Sequence, residues 1–164
     1  MKRLLILLLC LFLFAGCKTS TDNAYQNASF SVVLPENFRP VQNTSVLCFA
    51  PYGDPLLSSS VTFYATELNW YFDDFTTEEY AEALTSLCGY DSLSVRDIAA
   101  CRVDGYDAKR IACSVQIDQG THDLVIYAIN ADRCYFMILL NREGDNYIDK
   151  FDTMMNSFHL KGKQ

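Results

Sequence analysis

Between Leu93 and Leu140 four strand-like segments follow one another with almost nothing between them. They are Leu93–Val103, Ala108–Ile117, Leu124–Asn130 and Cys134–Leu140. The links are Asp104-Gly105-Tyr106-Asp107, Asp118-Gln119-Gly120-Thr121 and Ala131-Asp132. A parallel neighbour needs a crossover of about a dozen residues or more, and none of these links is long enough. Short, turn-rich links between β-prone segments read instead as antiparallel hairpins. This stretch therefore predicts a meander at the centre of the fold.

The flanking residues supply more strands and the cover that a sheet needs. Phe30, Val32 and Leu34 recur at strand period and stop at Pro35-Glu36-Asn37. Val46–Phe49 and Val61–Leu68 read as two further strands. Thr76 with Glu79 three residues later makes a capping box, and Phe75 is placed to staple against Tyr80. Tyr80, Ala83, Leu84, Leu87 and Cys88 then form one apolar stripe, which Gly89 ends. A last helix is predicted from about Asp145 to Ser157, with Tyr147, Ile148, Phe151, Met154, Met155 and Phe158 on its apolar side. The fold class is α+β: a curved antiparallel sheet of about six to seven strands flanked by two amphipathic helices.

The N-terminus reads as an address. Lys2 and Arg3 precede an apolar run from Leu4 to Ala15, the layout of a secretory signal peptide. A membrane-spanning helix takes about 20 apolar residues, and this run is shorter. Phe14-Ala15-Gly16-Cys17 resembles the bacterial lipobox, with Phe14 where Leu is usual. That resemblance implies removal of residues 1–16 and attachment of diacylglycerol to Cys17. The expected organisation is a leader (1–16), a flexible polar tether (17–28), one domain (29–160) and a tail (161–164).

The whole chain carries a formal charge of −7, and loss of Lys2 and Arg3 with the leader takes it to about −9. A surface this acidic argues against a generic nucleic-acid binder, and anionic lipid would repel it. Membrane attachment then falls to the lipid. Cys48, Cys88, Cys101, Cys113 and Cys134 remain beside Cys17. Their number is odd and no two have CxxC spacing, so they read mainly as small buried hydrophobes.

The order of motifs resembles PsbP/DcrB-like domains. Phe30-Ser31-Val32-Val33-Leu34-Pro35-Glu36-Asn37-Phe38 is similar to their opening strand and turn. Val103-Asp104-Gly105-Tyr106-Asp107-Ala108 resembles their central hairpin, and Phe151–Phe158 their closing helix with its Ser-Phe step. The likeness covers roughly Ser29 to Leu160. It implies a curved antiparallel sheet flanked by helices, and little about activity. Members of that family serve as an extrinsic photosystem subunit, as a partner of a small GTPase in nuclear import, and as bacterial envelope lipoproteins.

Trp70-Tyr71-Phe72-Asp73-Asp74 is the leading candidate site for a partner, with Tyr64 and Tyr52 nearby in the sequence. Exposed aromatics anchor partners, whereas buried ones here would cover the sheet edge. Asp118, His122 and Asp123 near a hairpin turn could hold a cation, but turn polarity explains them as well. Asp145, Asp149 and Asp152 recur along the last helix, where Asp145 is expected to cap and the others to be solvated. His122 and His159 are the two histidines, and the chain has no GxSxG, HExxH, P-loop or Rossmann glycine pattern. No catalytic residue, metal or cofactor is assigned. The expected function is that of a lipid-anchored, extracytoplasmic, non-catalytic module on the cell membrane that binds a protein or envelope component. The alternatives are an accessory subunit of a membrane complex and, further off, a thiol-dependent enzyme.

Overall fold

The computed structural model describes residues 23–55, 58–67, 75–90, 92–118 and 120–161. The leader, Cys17 and Trp70-Tyr71-Phe72-Asp73-Asp74 lie outside the described residues. Among the described residues the chain order is β1 (Ala24–Gln26), β2 (Phe30–Val33), β3 (Phe38–Pro40), β4 (Leu47–Pro51), β5 (Ser60–Thr66) and α1 (Thr77–Cys88). It continues with β6 (Leu93–Val103), β7 (Tyr106–Ile117), β8 (Gly120–Asn130), β9 (Cys134–Asn141), α2 (Ile148–Met155) and β10 (His159–Leu160). Seven strands form one sheet in the order β3-β4-β5-β9-β8-β7-β6, and β1-β2-β10 form a second. All described pairings are antiparallel.

The meander forms as its short links require, and its hairpins are tight. Asp104 (φ 51°) and Gly105 (φ 80°) both adopt left-handed backbone between the paired residues Val103 and Tyr106. That is the two-residue turn whose twist suits flanking strands. The strand that follows consequently starts at Tyr106, before the predicted Ala108.

Burial explains why β8 lacks the alternation of a half-wet strand. Leu124 through Ile129 are all buried. Successive side chains point to opposite faces, so both faces of the sheet are covered. Leu124, Ile126 and Ala128 join Ile111, Cys113, Val115 and the α1 residues Tyr80 and Leu84. Val125, Tyr127 and Ile129 join Met137, Leu139, Phe63 and the α2 residues Phe151, Met154 and Met155, with Phe30 and Val32 of the small sheet. The result is three layers: α1, the seven-stranded sheet, and α2 with the small sheet.

Helix α1 matches its sequence signals. Thr76 accepts from the Glu79 amide, the Glu79 carboxylate accepts from the Thr76 amide, and Gly89 closes the helix at φ 72°. The Phe75 and Tyr80 rings meet edge to face, 5.6 Å apart. Two other expectations are corrected. Ala24–Gln26, assigned to the flexible tether, pair as β1 with Ser31–Val33, so the folded body begins before residue 29. The last helix begins at Ile148, not near Asp145, and Tyr147 at its N-cap makes no side-chain capping bond. Asp145 is engaged elsewhere: its carboxylate accepts from the Ser59 hydroxyl (2.6 Å) and amide (3.1 Å).

Candidate functional site

Among the described residues, an apolar cleft opens where the small sheet meets the end of β5 and the start of β9. Its volume is about 190 Å³, and Phe30, Leu47, Phe63, Tyr64, Ala65 and Tyr135 contribute to its lining. The β1–β2 turn forms one rim. Asn27 shapes that turn by accepting, through its side-chain oxygen, from the amides of Ser29 (2.8 Å) and Phe30 (2.9 Å). Phe30 is thereby set against Phe63 in a stacked pair 4.7 Å apart, and against Phe158 at 5.4 Å. On the other rim β5 and β9 pair Tyr64 with Phe136 and Ala65 with Tyr135. The Tyr64 ring, 41% exposed, turns to the α1 side of the sheet, 6.3 Å from Phe136, so Ala65 and Tyr135 present the side chains on this rim. The Tyr135 hydroxyl donates to Asp132 (3.1 Å). Burial, and then that bond, raise the Tyr135 pKa, so the phenol stays neutral.

The described lining contains no carboxylate, imidazole, amine or thiol. What the cleft offers is apolar contact with amide and hydroxyl groups at its edge. Such a surface suits an apolar group of about the size of one large side chain, since an engineered cavity of about 150 Å³ holds benzene.

The other candidates are distributed over the molecule. Tyr52 is 82% exposed at φ 55°, on a turn at the opposite end of the sheet from Tyr64. Asp123 pairs with Arg96 (2.5 Å), and His122 Nδ1 accepts the Glu143 amide (3.0 Å). Asp118 is exposed. Asp152, expected to be solvated, is half-buried and fully engaged, which corrects that reading. Its carboxylate accepts two bonds from Arg110 and one from the Tyr127 hydroxyl, each 2.9 Å long. The bond to Asp152 raises the Arg110 pKa, and burial followed by the same carboxylate raises that of Tyr127. Asp149 remains exposed, so the three acids do not share a stripe.

The five described cysteines are free thiols. Burial pushes Cys88, Cys113 and Cys134 up to about 12 and also raises Cys48. Cys101 is raised by burial too, with Arg110 pulling the other way. A thiol held protonated is a weak nucleophile. His159 Nδ1 lies 2.8 Å from the Asp104 carboxylate. Each imidazole thus has a backbone amide or a carboxylate as its partner.

Sequence reasoning flagged Tyr64 and missed the rest of the cleft. Its lining comes from residues 27–30, 47, 63–65, 135–137 and 158. No local motif announces such a set.

The chain matches no protein-family model and no curated protein sequence. Solved structures do match it. Cyanobacterial PsbP (CyanoP) from Synechocystis sp. PCC 6803 superposes with a TM-score of 0.62 at 15% identity, covering 91% of this chain and 99% of the other. The fold is PsbP-like. LpqN of Mycobacterium tuberculosis, described as involved in cell envelope biogenesis, has a TM-score of 0.54 at 10% identity, covering 84% and 88%. PA94 of Pseudomonas aeruginosa, a protein of unknown function, has a TM-score of 0.55 at 13% identity, covering 85% and 97%. At these identities the PsbP-like architecture is what is shared. It hosts different roles, so the role of this chain rests on its own surface.

Proposed function

We propose that the chain is a lipid-anchored, extracytoplasmic lipoprotein whose PsbP-like domain is a non-catalytic module that binds a protein or envelope component. The observation that carries this reading is the open apolar cleft between Phe30, Phe63 and Tyr135. The raised thiol pKa values support a binding role over a thiol-dependent one. Trp70, Tyr71, Phe72, Asp73 and Asp74 follow β5 in the chain, and their aromatic character supports a partner contact in that region. Cys17 is the proposed attachment point for diacylglycerol, which would hold the domain on the outer face of the cell membrane. No helix among the described residues is long and apolar enough to cross a membrane. An envelope setting also fits the involvement of LpqN in cell envelope biogenesis.

The test is affinity purification from membranes solubilised in mild detergent, comparing the natural chain with Ala65→Asp, an exposed position in register with Tyr135. A component recovered in constant ratio with the natural chain and lost with Ala65→Asp supports the binding role of the cleft. Recovery that is insensitive to a charge at this position contradicts it. A constant ratio within a larger membrane assembly would favour the accessory-subunit form of the same role.

A further inference from the structure

The last described strand, β10, holds the rim of the cleft. Helix α2 leads into it through Ser157 and Phe158, which the core side fixes. The Ser157 hydroxyl accepts from the Val33 amide (2.9 Å) and donates to the Met154 carbonyl (2.6 Å), and Phe158 is buried. β10 then runs antiparallel to β2, with His159 opposite Ser31 and Leu160 opposite Phe30. The Lys161 amide continues the pairing by donating to the Ser29 carbonyl (2.8 Å). Its ammonium donates to the Asn27 carbonyl (2.7 Å). Asn27, Ser29 and Phe30 are the cleft residues of the β1–β2 turn, and Phe158 lines the cleft as well.

The other side of β10 is held by Asp104. Inward and outward backbone groups alternate along an antiparallel strand, so Leu160 turns its amide away from β2. That amide donates to one oxygen of the Asp104 carboxylate (2.8 Å), and the other oxygen lies 2.8 Å from His159 Nδ1. Asp104 sits in the two-residue turn between β6 and β7. It therefore joins the end of the seven-stranded sheet to the edge of the small one.

The contacts of β10 are mostly wet. His159 and Lys161 are exposed, Leu160 is half-buried, and the bonds to Asp104 and Asn27 lie at the surface. A segment with exposed hydrogen bonds and little buried apolar area opens at low free energy while the core stays closed. Phe158, packed 5.4 Å from Phe30, is where the core's hold ends. Departure of β10 takes the Lys161 donors from the Asn27 and Ser29 carbonyls, so the turn that rims the cleft loses its neighbour.

We propose that β10 is a strap that opens together with the β1–β2 turn as one local unit, with Asp104 as its latch, so that the cleft is complete only while the strap is closed. A ligand that needs the complete rim then holds the strap shut, and loss of the latch weakens that ligand's binding. This regulation rests on the binding role proposed for the cleft, but the opening itself is measurable with no ligand present.

The experiment is native-state hydrogen exchange on the whole chain in mild detergent, read amide by amide by NMR, comparing the natural chain with Asp104→Gly. Glycine suits the left-handed backbone at this position, so the turn is kept and the carboxylate removed. Ser31, Leu160 and Lys161 report the strap, Asn27, Ser29 and Phe30 report the rim, and Ile111 and Ile126 report the sheet centre. Strap and rim amides are expected to exchange at least tenfold faster in Asp104→Gly, with Ile111 and Ile126 unchanged within twofold. Faster exchange of the strap without the rim overturns its coupling to the cleft. No change in the strap overturns the latch. An equal rise at Ile111 and Ile126 overturns the local unit, since Asp104 would then act on the whole fold. If Asp104→Gly fails to fold, Asp104→Asn, which tolerates the same backbone but lacks the charge, is compared in the same way. Affinity purification with Ala65→Asp reads binding and exchange reads the strap, so each can fail without the other.

Discussion

At the scale of single residues, Asp152 is the side chain whose removal should tell most. It accepts from both Arg110 and Tyr127, and its own exposure is about a third. Substitution by alanine leaves a part-buried guanidinium and phenol without their acceptor. The expected loss is about 2 kcal/mol in urea denaturation, and Arg110→Ala added to it should cost little more. Full additivity of the two would contradict a shared network. The thiols make a second prediction. Cys113 and Cys134 ionise near pH 12 when folded, against an ordinary value near 9. Between those limits the unfolded chain binds fewer protons than the folded one, so stability is complete below about pH 9 and falls as pH rises toward 12. Chemical denaturation across that window measures it, and a flat profile would contradict the burial of these groups. The thiols were legible as buried hydrophobes from their strand neighbours. Asp152 was not, because Arg110 lies on a strand 42 residues away in sequence.

At the scale of elements, β1 is the informative piece. Ala24–Gln26 is polar enough to read as tether, and it is ordered by a partner strand and by Tyr25 against Phe49. Removing residues up to Asp22 should leave thermal stability unchanged. Removing residues through Gln26 should cost about 2 to 3 kcal/mol, the contribution of a buried aromatic and its strand pairing. Equal stability of the two truncations would return β1 to the tether. Elements with complete local signals were readable from sequence: the capping box at Thr76, the Asp104-Gly105 turn, the meander itself. The three-residue strands β1 and β3 carry too few positions to show a period, and only tertiary pairing defines them. The start of α2 was misplaced for a similar reason, since Asp145 bonds to Ser59 across the fold rather than to its own helix.

At the scale of the whole molecule, the PsbP-like architecture buries both faces of the sheet and leaves an apolar cleft beside the β1–β2 turn. The α+β class followed from link lengths and helix signals, because those are local. The cleft did not, because separate segments assemble it only after folding. The most direct test is the intact mass of the protein isolated from the membrane fraction of its native cell. A chain beginning at Cys17 and carrying diacylglycerol is the predicted result. A chain beginning at Met1 without fatty acid would contradict it.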